Sequence, residues 1–127
     1  MDNGKEIVLS ALAHTWILDL DGTLVKHNGY KIDGRDTLLP GAKEFLERIP
    51  RRDMIIFMTS REESFKGLTE SFLTDNEIRF DRIIYGVPYG ERIVINDKKP
   101  SGLETAIAVS VTRDAAEKPE IRIEKEL

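Results

Sequence analysis

Three short apolar runs in this chain stop at polar residues. TWILD (15–19) ends at Asp19, MIIFM (54–58) runs into Thr59 and Ser60, and RIVI (92–95) into Asn96 and Asp97. Between the first two, Ala42, Phe45, Leu46 and Ile49 recur at helical spacing, bounded by Pro40 and Pro50. After the second, Ser60 and Glu63 have the spacing of a capping box, and Phe65, Leu68 and Phe72 fall on one helical face. A short strand is expected over 82–85, a short helix capped by Ser101 with Glu104, and a last strand over 106–111 (AIAVSV). Strands alternating with helices, one of them apolar throughout, predict a parallel sheet covered on both sides.

Residues 24–39 are mixed and polar, with turn signals at Asn28-Gly29 and Asp33-Gly34, and predict a small hairpin or flap rather than a second domain. The whole chain, 1–127, fits one domain with one core. Its end, 113–127, is almost all polar. The faint alternation of Ile121 and Ile123 is compatible with an edge strand and equally with a frayed tail.

Composition removes several functions. With no cysteine there is no disulfide, thiolate metal site or cysteine nucleophile, and two histidines do not make a histidine-rich zinc site. A net charge of -4 gives no basic surface for nucleic acid. No apolar run is long enough to span a membrane, and the N-terminal stretch MDNGKEIVLSALAHTW does not read as a secretory signal, so a cytoplasmic location is expected.

In an open parallel sheet, ligands bind beyond the carboxyl ends of the strands. The three runs would therefore bring Asp19, Asp21, Thr59 and Asp97 to one edge. Like charges gathered in a cleft repel, and a hard divalent cation such as Mg²⁺ offsets that while bridging to a phosphate. Gly22 allows a tight turn that presents backbone N–H groups to an anion. Such an arrangement suits phosphoryl transfer: one carboxylate attacks phosphorus, and a second handles the proton.

The set DLDGT (19–23), IIFMTSR (55–61) and IVINDKKP (93–100) resembles the haloacid dehalogenase superfamily of aspartate-dependent phosphohydrolases, in particular its small capless members. The resemblance runs over roughly residues 14–111. It implies a three-layer Rossmann-like core with a short flap, and Mg²⁺ as cofactor. It makes Asp19 nucleophile and metal ligand, and Asp21 general acid/base with its carbonyl on the metal. Thr59 would bind the phosphoryl oxygens. Asp97 would be the distal metal ligand, with Asn96 behind it. Gly22, Thr23, Ser60 and Arg61 are the candidate phosphate contacts. Family members also carry a cation that pairs with phosphate and nucleophile, often within a G-K-P run. Here that run is Gly86-Val87-Pro88, so Lys99 is the leading substitute, with Lys98 and Arg61 as further candidates.

The expected activity is a Mg²⁺-dependent phosphatase acting on a phosphorylated metabolite, a sugar phosphate among the candidates. Val87 keeps open a phosphate-binding or regulatory domain with weak or no turnover. A nucleic-acid end is the remaining alternative, disfavoured by the acidic balance and sparse aromatics. His27, Asn28, Tyr30 and Lys31 on the flap, and Tyr85, Tyr89, Glu91 and Arg92 before the last motif, could line the mouth. A mouth without a cap is wide and compatible with coverage by a second copy of the chain.

Overall fold

The computed structural model describes residues 6–127. The first five residues, part of the N-terminal stretch considered above as a signal, lie outside them.

Among the described residues the regular elements follow in the order β1 (Glu6–Leu9), β2 (Thr15–Leu18), α1 (Gly29–Ile32), α2 (Ala42–Glu47), β3 (Met54–Met58), α3 (Lys66–Asp75, entered through a 3-10 turn at Glu63–Phe65), β4 (Arg82–Ile84) and β5 (Glu120–Ile123). The strands form two open sheets, both parallel. One has the order β2-β3-β4, and the other pairs β1 with β5. This is a small α/β protein. No helix among the described residues is long and apolar enough to cross a membrane.

Each connection in the three-stranded sheet passes through a helix, as parallel neighbours require. In β3 the period of two is plain: Ile55 and Phe57 are fully buried, whereas Met54 is 47% exposed. The buried face meets Leu20, Leu24 and Val25 beyond β2, Ala42, Leu46 and Ile49 at α2, and Leu73 and Ile78 at α3 and the turn after it. Trp16, Phe45, Phe72, Phe80 and Ile83 close the rim of this core. Ile17 and Ile84 share the exposure of Met54, so the opposite face of the sheet is half open.

Asp53, one residue before β3, is buried although the sequence reads it as a charge beside a strand. Its carboxylate accepts the His14 backbone N–H at 3.1 Å and the Trp16 indole N–H at 3.0 Å, and the His14 Nδ1 lies 3.4 Å away. Burial pushes this carboxyl up, but the hydrogen bonds from Trp16 and His14 more than offset it and hold it below the ordinary aspartate value. A depressed carboxyl stabilises the fold above the unfolded value, and that contribution fades as pH falls through the folded one. Asp53→Asn is therefore expected to cost about 1–3 kcal/mol near neutral pH. In urea titrations, the wild type's advantage over the variant should vanish in acid below the ordinary carboxylate range.

Three expected elements differ. Residues 92–95 and 106–111 are not strands, and 101–104 is not a helix. Ile93 and Ile95 are 81% and 92% exposed. The Arg92 guanidinium is held on Asp19, just past the carboxyl end of β2. A strand parallel to β2 would have to start at the opposite end, so the segment as it runs is not placed to pair with β2. It returns where the Asp114 N–H donates to the Gly22 carbonyl at 2.9 Å.

The capping box is also absent. The backbone remains extended at Glu62, and α3 begins only after the 3-10 turn, with no side-chain cap. The Thr59 hydroxyl accepts the Arg61 N–H at 3.1 Å, and burial of the Arg61 side chain holds this stretch out of helical conformation. The tail resolves the alternative left open by its sequence: β5 is an edge strand, paired from Glu6↔Glu120 to Leu9↔Ile123.

Candidate functional site

The carboxyl ends of β2 and β3, neighbours in the sheet, bring together Asp19, Asp21, Thr23, Thr59 and Arg61. After β2 the chain closes a tight turn: Leu24 N–H donates to the Leu20 carbonyl at 2.9 Å, and Gly22 N–H to the Val25 carbonyl at 2.7 Å. Gly22 takes φ +84°, where an L side chain is strained, and a Cβ there would lie 3.0 Å from Cγ of Arg113. The tail covers this turn further: the His27 N–H donates to Asp114 at 2.8 Å, and the Lys118 ammonium donates to the Thr23 carbonyl at 2.7 Å.

Asp19 keeps 35% of its side chain exposed. It accepts the Thr23 hydroxyl at 3.2 Å on one oxygen and the Arg92 Nη1 at 3.2 Å on the other. A solvent-accessible carboxylate is thus oriented by a hydroxyl and faced by a guanidinium.

Asp21 is held differently. Arg61 Nε and Nη2 donate to its two oxygens, both at 3.0 Å. The other edge of the same guanidinium grips Asp36, through Nη2 at 2.6 Å and Nη1 at 3.0 Å, while Nη1 also donates to the Thr69 hydroxyl at 2.9 Å. All five N–H groups of Arg61 are thereby engaged. The side chains of Arg61 and Asp36 are each 1% exposed. Burial acts to lower the Arg61 pKa, but Asp36 and Asp21 overcome it and hold the guanidinium firmly charged. The Tyr30 ring lies 4.0 Å from the guanidinium carbon and packs edge-on against Phe65.

Several expected site residues stand elsewhere. Arg61, expected on phosphate, spends its donors on protein acceptors. Thr59 is buried, its N–H donating to the Ile84 carbonyl at 2.9 Å, and Ser60 beside it is partly exposed. Asn96, Asp97, Lys98 and Lys99 lie in the exposed excursion between residues 92 and 113. There Lys98 pairs with Glu104 at 3.3 Å, the Lys99 N–H donates to the Leu103 carbonyl at 3.0 Å, and the Asp97 carbonyl accepts the Thr105 hydroxyl. Tyr30, on the inner side of the flap, is buried against Arg61 and Phe65 rather than lining a mouth.

Among the described residues, no group of three or more histidine, aspartate or glutamate side chains converges to hold a metal ion. Asp19 and Asp21 each face an arginine, and Asp97 is solvated away from them. In this arrangement the residues do not fit the magnesium site that the resemblance implies, which joins the Asp19 and Asp97 carboxylates and the Asp21 carbonyl.

Sequence reasoning missed Asp36 altogether and left Arg92 as one of several rim residues. Asp36 follows the Asp33-Gly34 turn signal and reads as one more loop charge. Arg92 opens an apolar run and carries no local mark of its partner 73 residues away. No family model, curated protein or solved structure matches the chain.

Proposed function

We propose that this chain is a phosphomonoester hydrolase of the haloacid dehalogenase type, built on that superfamily's Rossmann-like core, with Asp19 accepting the phosphoryl group of a small phosphorylated metabolite. The observation that carries this reading is the setting of Asp19: exposed at a strand end, oriented by Thr23, and faced by the Arg92 guanidinium. In the proposed reaction an Asp19 oxygen attacks phosphorus, and the bond to the leaving oxygen breaks with its electron pair on that oxygen. Asp21, a carboxylate at rest, takes up the proton that the substrate monoanion brings and gives it to that oxygen. A water then attacks the aspartyl phosphate, hands its proton to Asp21 and releases phosphate. Each Asp21 oxygen keeps a lone pair that Arg61 does not use. Arg92 supplies the cation that the Gly86-Val87-Pro88 run lacks: it neutralises Asp19 at rest, and its planar fork matches phosphoryl oxygens. No step runs through a metal ion, and magnesium enters as a variable of the assay.

Arg92→Ala is expected to lower kcat/KM for a generic phosphomonoester about 100-fold, the scale on which one preorganised charge donor acts. Lys99→Ala should cost less than about threefold, as substitutions of exposed side chains away from a site usually do little. Steady-state hydrolysis of p-nitrophenyl phosphate, with Mg²⁺ and with chelator, measures both. A wild type no faster than Asp19→Asn under either condition would refute the enzyme.

A second reading is favoured by the dispersed acidic set: a domain on the same scaffold that binds phosphate without turning it over. Calorimetric binding of inorganic phosphate with no hydrolysis would select it.

A further inference from the structure

We propose that Arg61 is a positioning residue that latches the flap, residues 24–39, onto the acid Asp21, with Asp36 as the flap's half of the latch. The catalytic part of this inference rests on the phosphatase reading of Asp21. The latch itself stands on geometry alone.

The flap is closed at its base by two backbone hydrogen bonds, Lys26 N–H to the Thr37 carbonyl at 2.9 Å and Leu39 N–H to the Leu24 carbonyl at 2.8 Å. Its outer part, 31–35, is exposed, and there Asp33 makes a solvated pair with Lys26. Leu24, Val25 and Leu38 root the flap in the core, and the His27 N–H donates to Asp114; further out, the Tyr30 ring lies against the Arg61 guanidinium and Phe65, and Asp36 is gripped by the same guanidinium at two points.

A guanidinium is planar, and opposite edges can each engage a carboxylate with two parallel hydrogen bonds. Arg61 uses one edge for Asp21 and the other for Asp36, so the two carboxylates are fixed relative to each other through a rigid plane. Thr69 on α3 takes the donor that remains and fixes that plane against the core. Two carboxylates against one guanidinium leave the cluster with an excess negative charge, which apolar packing would avoid. A merely cohesive contact therefore does not call for this arrangement, whereas holding an acid from the β2 turn in register with the flap does. A shift of the flap that draws Asp36 away takes one of the two forks from the plane on which Asp21 rests and leaves it held by Asp21 and Thr69 alone. By the same geometry Arg61 has no donor to spare for substrate, so its influence on the reaction passes through Asp21.

Hydrogen exchange of the full chain tests the latch. In Asp36→Asn, amides of residues 24–39 are expected to exchange about tenfold faster or more than in the wild type, with those of β3 unchanged. In p-nitrophenyl phosphate hydrolysis the same variant should lose about tenfold to 100-fold in kcat with KM within about twofold, since misplacing a reacting group costs rate rather than binding. Arg61→Lys, which keeps the charge but loses both forks, should show the same pattern and serves if Asp36→Asn does not fold. Flap exchange at the wild-type rate, or raised only together with that of β3, overturns the latch. A released flap with kcat unchanged overturns the positioning role. If the wild type hydrolyses no phosphomonoester, the phosphatase reading fails by itself and the exchange result still decides the latch.

Discussion

Asp19→Asn is expected to lower the turnover of a phosphomonoester by about a thousandfold or more, because removing a nucleophile removes the covalent route altogether. The fold should survive. The Asp19 side chain is about one-third exposed, and an amide oxygen can still accept the Thr23 hydroxyl. What is lost besides chemistry is a half-solvated pair with Arg92, a contact of the kind that contributes about 0–1 kcal/mol. Kinetics and a thermal melt on the same preparation therefore separate loss of function from loss of structure. A residual rate within about tenfold of the wild type would mean that Asp19 only holds charge near the reaction (compare the modest cost of removing one charged donor).

Arg61→Met should have the largest effect on stability. It removes a cation from between two carboxylates, one of them fully enclosed. Breaking a buried pair from one side costs about 3–5 kcal/mol, because the partner's charge stays behind in a poor solvent. Against a typical total of about 5–15 kcal/mol, that is a large fraction. The sign of the coupling makes the prediction specific: Arg61→Met combined with Asp36→Asn should be more stable than Arg61→Met alone, because the second change deletes the stranded charge. Urea denaturation of both variants reads this directly. A double variant less stable than the single would show that Asp36 is held by something other than Arg61.

How far the sequence reveals this structure depends on how local each feature is. β3 occupies the five residues of the MIIFM run, and β2 and β4 end within one residue of expectation, because an apolar run closed by polar residues is a signal contained in the run itself. The pairing of β1 with β5 joins residues more than 100 positions apart and leaves only the weak alternation of Ile121 and Ile123 to be read. The segment 92–111 shows the converse. It has the composition of a strand and a helix, and the outer edge of β2 is free, yet Arg92 lies at the wrong end of β2 for its run to start a parallel pair there.

The site divides along the same line. Asp19, Asp21, Thr59 and Arg61 were legible because each closes or follows a strand, and adjacent strands then bring them together. Asp36 was not, because a buried aspartate and a loop aspartate look alike in a sequence, and only the partner across the fold distinguishes them. The reach of Arg61 is hidden for a related reason. Its position at the mouth of the sheet suggests phosphate, while its five donors are already committed within the protein.

The most direct test is to trap the intermediate. The wild-type chain is turned over with a phosphomonoester, quenched in acid, reduced with borohydride and mapped by peptide mass spectrometry. The aspartyl phosphate is expected to appear as homoserine at position 19, with no such product in Asp19→Asn. Steady hydrolysis with position 19 unmodified, or with the label on another residue, would contradict Asp19 as the nucleophile.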